Sequence, residues 1–77
     1  MGNSLTNILT SRQLAILKFI RFFSGTNGFS PSLREIASSF NIAPSSVLDH
    51  LKALERKGFI RRHPFQPRCL EVLKKDF

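Results

Sequence analysis

Apolar residues change their spacing once along this chain. Between residues 10 and 57 they recur three and four positions apart, which is typical of amphipathic helices. From Phe59 onward they alternate with polar residues, as in short β-strands. The pattern predicts three helices and then a hairpin, at about 10–24, 32–40, 44–57 and 59–73.

The first predicted helix has clear start and stop signals. Thr10 and Gln13 have the spacing of a capping box, in which each side chain bonds the other residue's backbone N–H. The stretch Gly25–Gly28 is rich in helix-breaking residues, so we expect the helix to end near Ser24.

The next two helices are bounded in the same way. Ser32 and Glu35 form a second capping box, and Asn41 suits the left-handed position that ends a helix. Pro44 is favourable at the first position of the third helix, and Gly58 is the expected stop.

The third helix is predicted to have one apolar and one polar face. At ~100° per residue, its inner positions coincide at Val47, Leu51 and Leu54. The opposite positions are Ser45, Asp49, Lys52 and Arg56. Two helices joined by a short turn form a helix-turn-helix, and the hairpin adds a wing. We therefore predict one domain over residues 1–77, a mostly α winged helix-turn-helix with a two-stranded wing.

Such a helix can read the major groove of DNA with its first turns. Ser45 and Ser46 can donate to a phosphate or a base. Asp49 can accept from a cytosine amino group, and Lys52 can donate to guanine or phosphate. Leu48 can contact a thymine methyl group. We predict that this helix reads bases.

Structural alternatives exist for the same side chains. Ser46 and Asp49 could form a further capping pair. Leu48 could pack against the hairpin, while Lys52 and Arg56 could simply be solvated.

The predicted wing carries three arginines, Arg61, Arg62 and Arg68, beside a loop bounded by two prolines. They are placed to grip phosphates or a narrow minor groove. Adjacent strand residues point to opposite faces, so we expect Arg68 and only one of Arg61 and Arg62 to touch DNA.

Charge supports a polyanionic partner. Twelve Lys and Arg against five Asp and Glu give a net charge of +7, with the basic residues concentrated in the last third. A basic face suits nucleic acid, although a solvated basic surface accounts for the charge equally well.

Other features limit the function classes. Cys69 is the only cysteine, so an internal disulfide is excluded and a reducing compartment is expected. No secretory signal pattern or membrane-length apolar run occurs, and we expect a cytoplasmic, nucleoid-associated protein. His50 and His63 have no evident catalytic neighbours and, with one cysteine, make no zinc pattern. We predict no catalysis, metal, cofactor or small-molecule substrate.

The chain has more large apolar residues than a small core needs: Leu5, Ile8, Leu9, Phe19, Phe22, Phe29 and Phe65. We predict a homodimer contact at Phe22, with Phe19 as a second candidate. The alternative is a larger core with a folded-back N-terminus.

The competing function is that of a winged helix that binds only protein, or of a plasmid or phage regulator of replication or copy control.

Four segments together resemble the N-terminal DNA-binding domain of the LexA family of repressors: LTSRQLAILKFI (9–20), GFSPSLREIA (28–37), HLKALERKGFIRR (50–62) and PRCLEVL (67–73). The resemblance implies a winged helix-turn-helix that represses transcription from a palindromic operator as a dimer. It also implies base reading by Ser45, Ser46, Leu48 and Asp49, and backbone contact by the wing.

Two departures from the family are visible. The connection 41–44 is one residue shorter than usual and the reading residues differ in type, so the family's operator is not expected to transfer. Because the chain ends at Phe77, we expect no self-cleaving Ser–Lys domain and no induction by self-cleavage.

Overall fold

Three helices and a two-stranded antiparallel sheet follow one another in the computed structural model, which describes residues 9–63 and 70–73. The elements are α1 (Ser11–Asn27), α2 (Leu33–Phe40), α3 (Pro44–Arg56), β1 (Ile60–Arg62) and β2 (Leu70–Val72). This order confirms the predicted winged helix-turn-helix. In the part of the chain that the structure describes, no helix is long and apolar enough to cross a membrane.

Helix α1 begins as predicted but is longer. The Thr10 hydroxyl accepts from the Gln13 N–H at 3.1 Å, and the Gln13 side chain accepts from the Thr10 N–H at 3.2 Å. The predicted end near Ser24 is wrong, because the helix continues to Asn27 and stops only where Gly28 is left-handed, at φ 80°. One glycine inside a helix costs only about 1 kcal/mol, so Gly25 does not end it.

Helix α2 and the turn after it match the sequence signals. The capping box of Ser32 and Glu35 is formed, with bonds of 3.1 and 2.8 Å. Asn41 is left-handed at φ 54°, and its N–H bonds the Ser38 carbonyl at 3.3 Å. The Ile42 N–H bonds the Ala37 carbonyl at 3.1 Å, which completes a Schellman motif and directs Ile42 onto the core.

Helix α3 starts at Pro44, as predicted, and ends one residue before the predicted Lys57. Ala43 precedes it and provides no side-chain cap, so the alternative capping pair of Ser46 and Asp49 does not form. A second Schellman motif follows, in which Gly58 (φ 82°) bonds Glu55 and Phe59 bonds Leu54, both at 3.0 Å.

The core lies between the three helices and the start of the wing. Its buried members are Leu9, Ile16, Leu17, Ile20, Ile36, Ala37, Val47, Leu51, Leu54, Phe59 and Ile60. Leu9 is only 2% exposed and covers the core ahead of α1, in agreement with the alternative of a larger core for this residue. Phe19 also packs against the core and is half-buried.

The wing strands are shorter than the sequence pattern predicted. Ile60 pairs with Val72, Arg61 with Glu71, and Arg62 with Leu70. The Leu73 N–H extends the pairing to the Phe59 carbonyl at 2.8 Å. Predictions for Arg68, Cys69, Phe65, Leu5 and Ile8 lie outside the described residues.

Candidate nucleic-acid interface

The polar face of α3 is open to solvent while its apolar face is buried. The buried residues are Val47, Leu51, Ala53 and Leu54. The exposed residues are Ser45, Asp49, Lys52 and Arg56, the four that the helical period put on the outer face. The division arises because α2 and α1 both pack against the same side of α3. A helix with this arrangement can enter a groove without unpacking.

The first turn of α3 carries the candidate base-reading residues. Ser45 is exposed, whereas Ser46 and Leu48 are half-buried beside it. The positive end of the helix dipole lies at the same turn and favours an anion such as a phosphate. Leu48 is outside the group of apolar residues that pack against the core. Its partly exposed side chain can therefore contact a ligand at this edge of the helix.

Asp49, Lys52 and Arg56 have no internal ion-pair partner within residues 9–63 and 70–73. No described side chain of opposite charge therefore neutralises them. Lys52 lies one turn beyond Asp49, and Arg56 one turn beyond Lys52. The face thus presents one acceptor and two cationic donors in a row, which is suited to base edges and phosphates.

The two wing arginines in the described structure, Arg61 and Arg62, differ in their partners and in their exposure. The Arg62 Nε lies 3.0 Å from Glu55 Oε1, and the Arg62 backbone N–H donates to Glu55 Oε2 at 3.4 Å. The side-chain bond from Arg62 holds the pKa of Glu55 below its ordinary value, so the pair is ionised at neutral pH.

Arg61 is the more accessible of the two. Its side chain is 60% exposed, and its Nη1 is 3.6 Å from Glu71 Oε1 across the sheet. Exposed pairs of this kind contribute about 0–1 kcal/mol, so a phosphate can replace Glu71 at little cost. Among the described wing residues, the geometry therefore favours Arg61 for a backbone contact and leaves Arg62 bound to Glu55.

Some residues near this surface were missed from the sequence. The side chain of Glu55 contacts a residue seven positions away, beyond a chain reversal, and no local spacing rule indicates such a pair. Arg34 is exposed in the first turn of α2, the helix that crosses the DNA backbone in helix-turn-helix proteins. Its place outside the apolar positions of the second predicted helix was the signal available in the sequence.

The aromatic residues proposed for a dimer contact have different environments. Phe22 is 72% exposed on the outer side of α1. Phe19 packs with Phe40 and Phe23, at ring-centroid distances of 5.7 and 5.8 Å. The structure thus leaves Phe22 accessible and holds Phe19 within an aromatic cluster.

A metal site is not evident. Residues 9–63 and 70–73 contain no group of three or more His, Cys, Asp or Glu side chains close enough to hold an ion. Cys69 is outside the described residues.

Comparison with known proteins gives one consistent family. The profile described as LexA DNA binding domain matches residues 6–69. The LexA repressor of Thermotoga petrophila is 52% identical over 66 residues, which cover 86% of this chain and 34% of that protein.

The LexA repressor of Bacillus velezensis is 48% identical over 69 residues, covering 88% of this chain and 34% of that protein. The LexA repressor of a Geobacillus species is 47% identical over 70 residues, covering 90% of this chain and 34% of that protein. The chain spans about a third of the length of the curated relatives it matches.

Proposed function

This chain belongs to the LexA DNA-binding domain family, and from that membership we propose that it binds double-stranded DNA sequence-specifically and represses transcription. One observation carries the proposal: the whole outer face of α3 is polar and exposed, in the helix that a helix-turn-helix inserts into the major groove. The three relatives described above are each named a LexA repressor.

The start of α3 reads bases in this proposal. Ser45 and Ser46 donate to bases or phosphates, and Asp49 accepts from a cytosine amino group. Leu48 contacts a thymine methyl group at the edge of the helix. The exposure of Ser45 and Asp49 and the partial exposure of Leu48 support these roles.

Backbone contacts come from the end of α3 and the wing. Lys52 and Arg56 contact phosphates from α3, Arg61 does so from β1, and Arg68 is expected to do so from its place in the sequence. Arg62 is assigned a different role, because its guanidinium is already bonded to Glu55.

Two copies occupy one operator in this proposal. A single helix-turn-helix reads only a few base pairs, and paired half-sites about one helical turn apart give the required length. A palindromic operator follows from two equivalent copies. Phe22 supplies the contact between them, in keeping with its exposure.

Selection from a random duplex library tests the function. The purified chain should enrich a palindrome, and fluorescence anisotropy on that sequence should give tight, salt-sensitive binding. Asp49→Ala should relax the choice of base at one position, whereas Arg68→Ala should weaken binding to all sequences. Failure to enrich any sequence, with no duplex binding even at low salt, would favour the protein-binding alternative.

Sedimentation equilibrium tests the contact between copies. The wild-type chain should form dimers at high micromolar concentration, and Phe22→Ala should abolish them without lowering the melting temperature, since Phe22 is outside the core. Leu73→Ala, which removes another exposed apolar side chain, is the control. A strict monomer at that concentration contradicts the contact.

A further inference from the structure

Each strand of the wing is attached to the helical body by a polar contact. On β1, both carboxylate oxygens of Glu55 bond to Arg62, one through the side chain and one through the backbone. On β2, the Leu70 N–H donates to the buried Ser30 hydroxyl at 2.8 Å. These bonds add direction to the apolar packing of Ile60, Leu70 and Val72, because strands of three residues have only a short ladder of their own.

The contact on β1 joins the two surfaces assigned to DNA. Glu55 lies in the last turn of α3, the helix with the exposed polar face, and Arg62 is the last residue of β1. The chain reverses between them at Gly58, whose left-handed backbone allows the wing to fold back. The pair thus connects the reading helix to the wing across a tight turn.

We propose that Glu55 is a positioning residue, which holds the wing at a fixed angle to α3 so that both contact one duplex together. The proposal rests on the DNA-binding function proposed above. Without this contact the angle between the wing and α3 would vary more in the free protein, and fixing that angle on binding costs entropy and weakens affinity.

The direction in which DNA affinity changes when Glu55 is replaced distinguishes positioning from simple electrostatics. A carboxylate near DNA repels phosphates, so electrostatics alone predicts tighter binding when Glu55 loses its charge. Removal of Glu55 would also release the Arg62 guanidinium for a phosphate, with the same sign. Positioning predicts the opposite result, since Arg62 would be freed at the expense of the wing's orientation.

Glu55→Gln and Glu71→Gln form a matched pair for this test. Each removes one negative charge from a carboxylate that contacts a wing arginine, but Glu71 contacts Arg61 and His63 within the wing and does not link it to α3. Anisotropy on the selected duplex, over a salt series, should show about fivefold weaker binding for Glu55→Gln. Its salt slope should fall by about one, for a lost phosphate contact.

Glu71→Gln should bind as tightly as the wild type or more tightly, with an undiminished slope. Glu55→Asp keeps the charge but shortens the side chain, and it should weaken binding as Glu55→Gln does. If Glu55→Gln binds as tightly as the wild type or more tightly, the positioning role is overturned.

Hydrogen exchange in the free protein measures the same contact without DNA. Glu55→Gln should speed exchange of the Arg62 amide, which donates to Glu55, and of the Glu71 amide, which lies in the hydrogen-bonded pair with Arg61, and should leave the amides in the middle of α3 unchanged. Unchanged exchange in the wing would overturn the proposal by itself. A wild-type chain that binds no duplex at all would instead reject the proposed function, and exchange would still decide whether Glu55 holds the wing.

Discussion

Three residues in the left-handed region follow the ends of the three helices and change the direction of the chain. Gly28, Asn41 and Gly58 have φ values of 80°, 54° and 82°. Residues with a Cβ lose roughly 1–2 kcal/mol in this conformation, and asparagine is among the few that adopt it readily. After two of them an apolar residue packs on the core: Ile42 after Asn41, and Phe59 after Gly58.

The same substitution should therefore have opposite effects at two glycines. A Cβ added at Gly25 or at Gly58 would meet no atom within 4 Å, so only the backbone conformation distinguishes the two positions. Gly58→Ala should lower the free energy of unfolding by about 1 kcal/mol. Gly25→Ala, in the interior of α1, should raise it by about 0.5–1 kcal/mol.

Thermal unfolding checks this pair. For a domain of this size, 1 kcal/mol corresponds to roughly 4–8 °C in Tm. Equal shifts in the same direction for both variants would contradict the assigned backbone conformations.

At the level of elements, the helices are joined by apolar packing, and the wing combines apolar packing with polar contacts. Ile60 of β1 is buried in the core, whereas Leu70 and Val72 of β2 are half-buried against it. The Lys57 ammonium also bonds the Gln13 side chain at 3.0 Å, which links the end of α3 to the start of α1.

Ser30→Ala should loosen the wing. The substitution leaves the Leu70 N–H without its 2.8 Å acceptor, and an unsatisfied buried donor costs about 1–3 kcal/mol. Urea unfolding should register this loss, while Ser38→Ala, on the exposed side of α2, should change stability by less than about 0.5 kcal/mol. Equal stability for the two variants would mean that Ser30 does not hold β2.

The Glu55–Arg62 pair should make stability depend on acid. Arg62 lowers the pKa of Glu55 below its ordinary value of 4.5, so the unfolded chain binds the proton more readily. The stabilisation is complete above pH 4.5 and is lost as pH falls through the folded-state pKa. Glu55→Gln should be less stable than the wild type near neutral pH, by about 1 kcal/mol or less for a partly exposed pair.

Melting temperatures over a pH series measure this difference. The gap between wild type and Glu55→Gln should narrow below pH 4.5. A gap that is constant across the series would exclude the carboxylate as its source.

For the whole molecule, the net charge is +7, and the acidic side chains that oppose it differ in whether they have partners within the fold. Glu35 is used in a capping box, and Glu55 and Glu71 contact wing arginines. Asp49 is the acidic side chain that the described structure presents on the outer face of α3. Cations near that face are thus opposed by a single carboxylate, which favours a polyanion there.

Salt dependence should identify which cations touch DNA. Lys52→Ala and Arg56→Ala should each reduce the slope of log affinity against log salt by about one. Lys18→Ala removes the same charge from the exposed side of α1, away from α3, and should leave the slope unchanged. Equal effects at Lys18 and Lys52 would indicate attraction to overall charge without a defined interface.

Sequence alone determined the features that depend on neighbours three or four residues apart. The capping boxes at Thr10 and Ser32, the left-handed Asn41 and the start at Pro44 all form as predicted, because their partners are local. The two faces of α3 were equally predictable, since helical geometry alone sets which residues share a side. Family membership followed from the same ordered segments.

Tertiary structure decided what depends on contacts across chain reversals. The burial of Leu9 and the engagement of Arg62 by Glu55 are set by packing between elements. The alternation of residues along a strand predicted only that Arg61 and Arg62 face opposite ways. The position of α3 decided that Arg62 is the one that pairs with Glu55. Periodicity specifies the faces of an element, but the partner that meets each face is specified only by the folded chain.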